Sequence, residues 1–221
     1  MNLKRICGIS AGLAVASLSN AAIVSVSGQG LHMTNLANVG YKANFFNDSA
    51  TVIRGWDEVQ NVALSQTIEV DINAMGVYQN PFTSANAEIS RGTMVSSHTL
   101  YFDPNQSRRG VATFTFDAAI IGIITSEGNA ASNDRFMKSD FLIPGAVPAA
   151  NLATTHYNAR GIEFGPEVIT WSTPNVLTVD LSASSPGDQI RVITQAVPEP
   201  GTIAALGLGA LVLVRRKRQL V

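Results

Sequence analysis

VLTVDLS, residues 176–182, sets apolar Leu177, Val179 and Leu181 against polar Thr178, Asp180 and Ser182. A helix would scatter these side chains around its surface. A strand separates them onto two faces, so the stretch is predicted to be a half-buried strand. The same period of two recurs on both sides of it. In GVATFTFD (110–117), Phe114 and Phe116 share a face opposite Thr113 and Thr115; in QTIEVDI (66–72), Ile68, Val70 and Ile72 oppose Thr67, Glu69 and Asp71. In DQIRVIT (188–194), Ile190 and Val192 oppose Arg191 and Ile193. TMVSSHTLYFD (93–103) and AIIGIIT (119–125) complete the set of strands. The latter is apolar on both faces, which predicts a central strand, and its Gly122 predicts a bulge or a close backbone approach.

Turn residues separate these runs at Asp103-Pro104-Asn105, Glu127-Gly128-Asn129, Ile143-Pro144-Gly145 and Pro186-Gly187-Asp188. One short helix is expected at Asn133–Ser139, with Ser132 as its N-cap. Short strands with this punctuation predict an all-β fold, an antiparallel β-sandwich, and about eight strands would permit a jelly roll.

The two ends of the chain differ from the middle. At the N-terminus Lys4 and Arg5 precede thirteen uncharged, mostly apolar residues, Ile6 to Leu18, and then small residues at Ser19, Ala21 and Ala22. This is the layout of a signal peptide cleaved after Ala21 or Ala22. Residues 1–22 are therefore read as a signal helix, residues 23–195 as the exported domain and residues 196–221 as a tail. The one cysteine, Cys7, lies in the segment to be removed, so the mature chain would carry no disulfide. Gly8-Ile9-Ser10-Ala11-Gly12 has the letters of a nucleophile elbow, but it sits in the signal core and not at a strand-to-helix turn.

The formal charge of −1 hides an asymmetry. Between Ile23 and Pro200, nine basic residues stand against sixteen acidic ones, leaving −7. That balance argues against nucleic acid as a partner.

Catalytic and metal-binding patterns are weak. His32, His98 and His156 occur singly, without the spacing of a zinc site. Asp71-Ile72-Asn73 opens like a calcium-binding loop, but Phe82 falls where a bidentate Glu is needed. The acidic and amide residues of 127–134 read as a solvated turn. Asp57 and Glu58 are adjacent carboxylates, and adjacent strand residues face opposite ways, which suits neither side of a glycosidase pair. No cofactor is expected, and the chain is read as not an enzyme. Trp56, Tyr101 and Trp171 would make a sugar-stacking platform if exposed on one sheet face. A single Thr113-x-Thr115 does not by itself make a threonine ladder of the ice-binding kind.

The tail reads VPEPGTIAALGLGALVLVRRKRQLV, residues 197–221. Its order of Pro-Glu-Pro, apolar helix and terminal basic cluster resembles the PEP-CTERM sorting signal of Gram-negative bacteria. The resemblance implies a recognition motif at Pro198, Glu199 and Pro200, a transmembrane helix over about 201–214, and a cytoplasmic stop at Arg215, Arg216, Lys217 and Arg218. It also implies partners: signal peptidase, an exosortase-type processing enzyme, transient contact with the inner membrane, and exopolysaccharide. The implied destination is the cell surface or a biofilm matrix. Stretches such as RGWDEVQNVAL (54–64), SHTLYFDP (97–104), ARGIEF (159–164) and PGDQIRVIT (186–194) look like ectodomains of such proteins, with no activity attached.

The thirteen residues Thr202–Val214 would rise about 20 Å as a helix, short of a bilayer core of about 30 Å. So short a span suits temporary retention. Gln195–Pro200 is expected to be a linker. The leading expectation is a non-enzymatic exported protein; the alternative is a carbohydrate-binding module. A secreted hydrolase would require convergent catalytic groups that the sequence does not show.

Overall fold

The computed structural model describes residues 22–47, 49–79, 87–125, 135–152, 161–162, 165–184 and 187–197. The signal segment, apart from Ala22, and the tail beyond Val197 lie outside them, as do Ser132, Asn133, His156, the 127–134 turn and Phe82. Among the described residues no helix is long and apolar enough to cross a membrane.

The alternating stretches become strands of two large sheets, except QTIEVDI, which falls in a separate hairpin. In spatial order the first runs β1 (Ile23–Gly28), β9 (Arg108–Phe116), β12 (Val176–Ala183), β11 (Val168–Thr173) and β6 (Gly76–Gln79), antiparallel throughout. The second runs β10 (Ile120–Ile124), β13 (Asp188–Gln195), β8 (Met94–Phe102), β3 (Ile53–Asp57) and β2 (Gly30–His32). Here β2 joins β3 in parallel, and β4 (Val62–Ala63) also pairs with β8. A separate hairpin pairs β5 (Ile68–Val70) with β7 (Ala87–Ile89). Between consecutive strands the chain crosses from one large sheet to the other at β1–β2, β8–β9, β9–β10, β10–β11 and β12–β13. The all-β, antiparallel expectation therefore holds. The helix is also found, as α1 (Arg135–Ser139).

One apolar cluster joins the facing sides of the two large sheets. Phe114, Phe116, Leu177, Val179 and Leu181 come from the first sheet, and Leu100, Phe102, Ile190 and Val192 from the second. Each such side chain contributes about 1.5–3 kcal/mol on burial. The alternation in β9 and β12 matches this division: Thr113, Thr115, Thr178 and Asp180 lie on the other side and are half-buried.

The second sheet departs from the half-buried expectation, because its other face is covered as well. Leu64, Ile68, Val70, Ile89, Phe136 and Leu142 bury Val95, Ile124 and Ile193. Val39, Tyr41 and Val147 bury Trp56 and Tyr101. Eight of the nine residues of β8 are consequently buried.

Three expectations are corrected by this layering. The AIIGIIT strand, β10, lies at the edge of its sheet and not at its centre. It is apolar on both sides because Ile120 and Ile123 enter the central cluster while Ile124 enters the outer one. Its open edge is closed by Asp71 and Ile72, whose backbone N–H groups both donate to Ile123 O at 2.9 and 3.2 Å. Second, the alternating DQIRVIT strand, β13, is not half-buried but buried on both faces, Arg191 and Ile193 included. Third, residues 195–197 are not a free linker. Gln195 N donates to Ala119 O at 2.8 Å, and Val197 N donates to the Asn61 side chain at 2.9 Å. Gly122 meets both of its alternatives: the β10–β13 register shifts there, and a Cβ would lie 2.7 Å from Val70 Cγ1.

Candidate functional site

Asp57 and Glu58 do face opposite ways, and each organises a separate network. Asp57 sits at the end of β3. Its Oδ1 accepts the backbone N–H of Ile23 at 3.0 Å and lies 2.7 Å from His98 Nδ1; its Oδ2 lies 3.2 Å from His32 Nε2. The other nitrogen of His98 is 3.1 Å from Thr194 Oγ1. Burial alone would raise the Asp57 carboxyl. The His98 hydrogen bond and the nearby imidazoles outweigh it and leave the group below the usual Asp range. The two histidines thus converge on one carboxylate, but His98 is fully buried behind Phe116. Among the described residues no group of three or more His, Cys, Asp or Glu side chains is placed to hold a metal ion.

Glu58 meets Arg191 on the covered face. Arg191 Nε and Nη2 donate to the two Glu58 oxygens, each at 2.9 Å, in a bidentate pair with both side chains fully buried. Thr99 Oγ1 donates to Glu58 at 2.9 Å, Ser97 Oγ donates to its other oxygen, and Arg191 Nη1 donates to Phe136 O at 3.2 Å and to Ser139 Oγ. Burial works against the guanidinium charge, but the Glu58 and Asp140 carboxylates hold it more firmly protonated than a free arginine. Next to this pair, Trp56 Nε1 donates to the Tyr41 hydroxyl at 2.8 Å. Burial and then the Glu58 carboxylate push that hydroxyl well above the usual phenol range. The network reaches the surface at a cavity of about 490 Å³ lined by Tyr41, Asp140, Ile143, Pro144, Val147 and Leu152.

The proposed stacking aromatics lie elsewhere than a platform requires. Trp56 and Tyr101 are fully buried together on the covered face, with ring centroids 6.5 Å apart. Trp171 is 5% exposed and belongs to the central cluster. Each ring is occupied by neighbours, so none offers an open face to a sugar. Asp71, which opened the calcium-like loop, is also engaged: it accepts Thr125 N–H at 2.7 Å and pairs with Arg135.

The outward face of the first sheet is the more open surface. Strand register aligns Ser27, Thr113, Thr178, Thr170 and Val77 in one row across all five strands. Thr113 Oγ1 and Thr178 Oγ1 are 2.8 Å apart. Val111, Asp180, Val168 and Gln79 form the neighbouring row, and Arg109 clasps Asp180 through bonds of 2.6 and 2.7 Å. Val77 and Val111 are 66% and 41% exposed. Sequence reading found Thr113 and Thr115 but not this row. Its one signal was the polar half of each alternating strand; which strands are neighbours is not written locally.

Both ends of the described domain are tied to the turn between β9 and β10. Ala22 N donates to Asp117 Oδ1 at 2.8 Å, Asp117 N returns a bond to Ala22 O at 3.1 Å, and Gln195 N reaches Ala119 O. The sorting residues Pro198, Glu199 and Pro200 and the basic residues Arg215, Arg216, Lys217 and Arg218 follow Val197 outside the described residues, and Ala21 precedes them.

Residues 196–219 match the family described as the PEP-CTERM protein-sorting motif. No curated protein and no solved structure matches the chain.

Proposed function

We propose that this is an exported, non-enzymatic protein of the cell surface or extracellular matrix, whose β-sandwich is delivered by its C-terminal sorting signal. The match at residues 196–219 carries the reading, and it implies an exosortase-type processing enzyme as partner. The signal peptide starts export. The helix after Pro200 then holds the protein in the inner membrane, with Arg215–Arg218 on the cytoplasmic side, until the tail is processed. The folded strands support this order, because the domain is hydrogen-bonded up to Val197 and the Pro198-Glu199-Pro200 triplet starts at the next residue. The non-enzymatic part is supported by the use of Asp57, Glu58, Asp71 and Arg191 in bonds to one another and to the backbone.

Deleting residues 197–221 tests the reading. Fractionation should move the protein from membrane and surface fractions to free release. Identical fractionation of full-length and truncated chains sinks it.

A second reading, attachment to polysaccharide, draws on the outward threonine and valine face of the first sheet. That face offers hydroxyls in register with exposed apolar area, the two contacts a sugar chain needs, and it replaces the buried aromatics as the surface to test.

A further inference from the structure

We propose that the mature chain begins at Ala22 and that its new α-ammonium group is the ion-pair partner of Asp117. The inference rests on the signal-peptide reading and selects between its two cleavage bonds.

The two bonds leave different nitrogens at the start of β1. Hydrolysis of the Ala21–Ala22 amide consumes one water; Ala21 departs as a carboxylate and Ala22 retains an ammonium, its pKa about 8 in an unperturbed chain. In the fold, the Ala22 nitrogen lies 2.8 Å from Asp117 Oδ1, at the surface, while Ala22 O accepts from Asp117 N at 3.1 Å. The carboxylate is already in place, and the remaining ammonium protons reach water. The neutral amide donor thereby becomes an ammonium, and a hydrogen bond to a carboxylate becomes an ion pair.

Cleavage after Ala22 would remove both Ala22–Asp117 bonds. The new ammonium would belong to Ile23, a residue only 3% exposed. Its nitrogen donates to Asp57 Oδ1 at 3.0 Å, an oxygen that His98 Nδ1 already approaches at 2.7 Å. Three protons and a full charge would then sit where one amide proton is now satisfied, and a buried charge without enough partners is costly. The sequence favours the same bond. Cutting after Ala21 puts small Ser19 and Ala21 at the third and first positions before it; cutting after Ala22 puts Asn20 at the third.

The structural consequence falls on β1, an edge strand of the first sheet. Its free end is fastened by a charge that exists only once the leader has been removed. Export and closure of this edge become linked.

The test uses the full chain exported from a host with signal peptidase. Intact mass and N-terminal sequencing of the exported protein should both begin at Ala22. A chain beginning at Ile23 overturns the proposal and leaves the signal reading standing; a chain retaining Met1 overturns both. The ion pair has its own readout. Selective acetylation of the α-amine should lower the thermal midpoint of the exported wild type by about 2 °C or more. The same treatment should leave Asp117→Asn unmoved, with Asp117→Ser as the substitute if the first variant is not exported. Equal shifts in wild type and variant overturn the pairing.

Discussion

Arg191 and Glu58 hold the covered face of the second sheet through charge in a dry place, where breaking a pair costs more than never having built it. Arg191→Met leaves Glu58 fully buried without its bidentate partner, among hydroxyl donors that include Ser97 and Thr99. We expect a loss of about 3–5 kcal/mol in urea unfolding, and recovery of much of it in the double variant with Glu58→Leu. Asp57 gives a pH prediction. Its carboxyl titrates below the ordinary Asp value in the fold, so its stabilisation is complete above the unfolded pKa of about 4 and is lost as pH falls through the lower folded value. Unfolding midpoints measured from pH 6 downward, at about unit steps, should therefore fall more steeply for wild type than for Asp57→Asn below about pH 4. Parallel curves would remove Asp57 from the account. Neither network was legible in the sequence as such. The opposite directions of Asp57 and Glu58 were, because period two follows from strand geometry; their partners lie 41 and 133 residues away.

At the scale of elements, β10 shows how an edge strand comes to read as a central one. Apolar residues on both faces report burial on both faces, and burial can come from a second sheet or from a hairpin laid over the edge. Here the β5–β7 hairpin does the covering, and the missing side chain at Gly122 leaves room for Val70 and Ile89. A side chain at Gly122 meets Val70 Cγ1 at 2.7 Å and Ile89 Cδ1 at 3.0 Å. Gly122→Val should cost about 1–3 kcal/mol by overfilling this contact, and hydrogen exchange should quicken in Ile68–Val70 before it does in β9 or β12. Uniform quickening would mean that the hairpin and sandwich open as one unit. The DQIRVIT strand, β13, carries an arginine on its covered face, where Glu58, Ser139 and Asp140 neutralise and solvate the guanidinium inside the fold.

For the whole molecule, the separation between sorting and surface is the main result. The tail match gives the protein a route, while the open face of the first sheet gives it area with which to act. Thr113→Lys combined with Thr178→Lys places two charges in the middle of the threonine row without entering either core. If that face holds polysaccharide, a pull-down on exopolysaccharide from the producing cells should lose most of the bound protein, with the unfolding midpoint nearly unchanged. Undiminished retention would remove the face from consideration. The threonine row also revises the sequence reading of Thr113-x-Thr115: one motif supplied one rung, and β11 and β12 supplied the others through Thr170 and Thr178. By itself the sequence determined the β class, the position of six of the thirteen described strands and the sorting motif at the end, because alternation, turn chemistry and a linear signal are local properties. Only the tertiary structure decided that Trp56, Tyr101 and Arg191 are interior, that β10 is an edge, and that Asp117 and Ala119 fasten both ends of the domain. Those depend on which strands become neighbours and what covers them, and such pairings are set by burial across the whole chain.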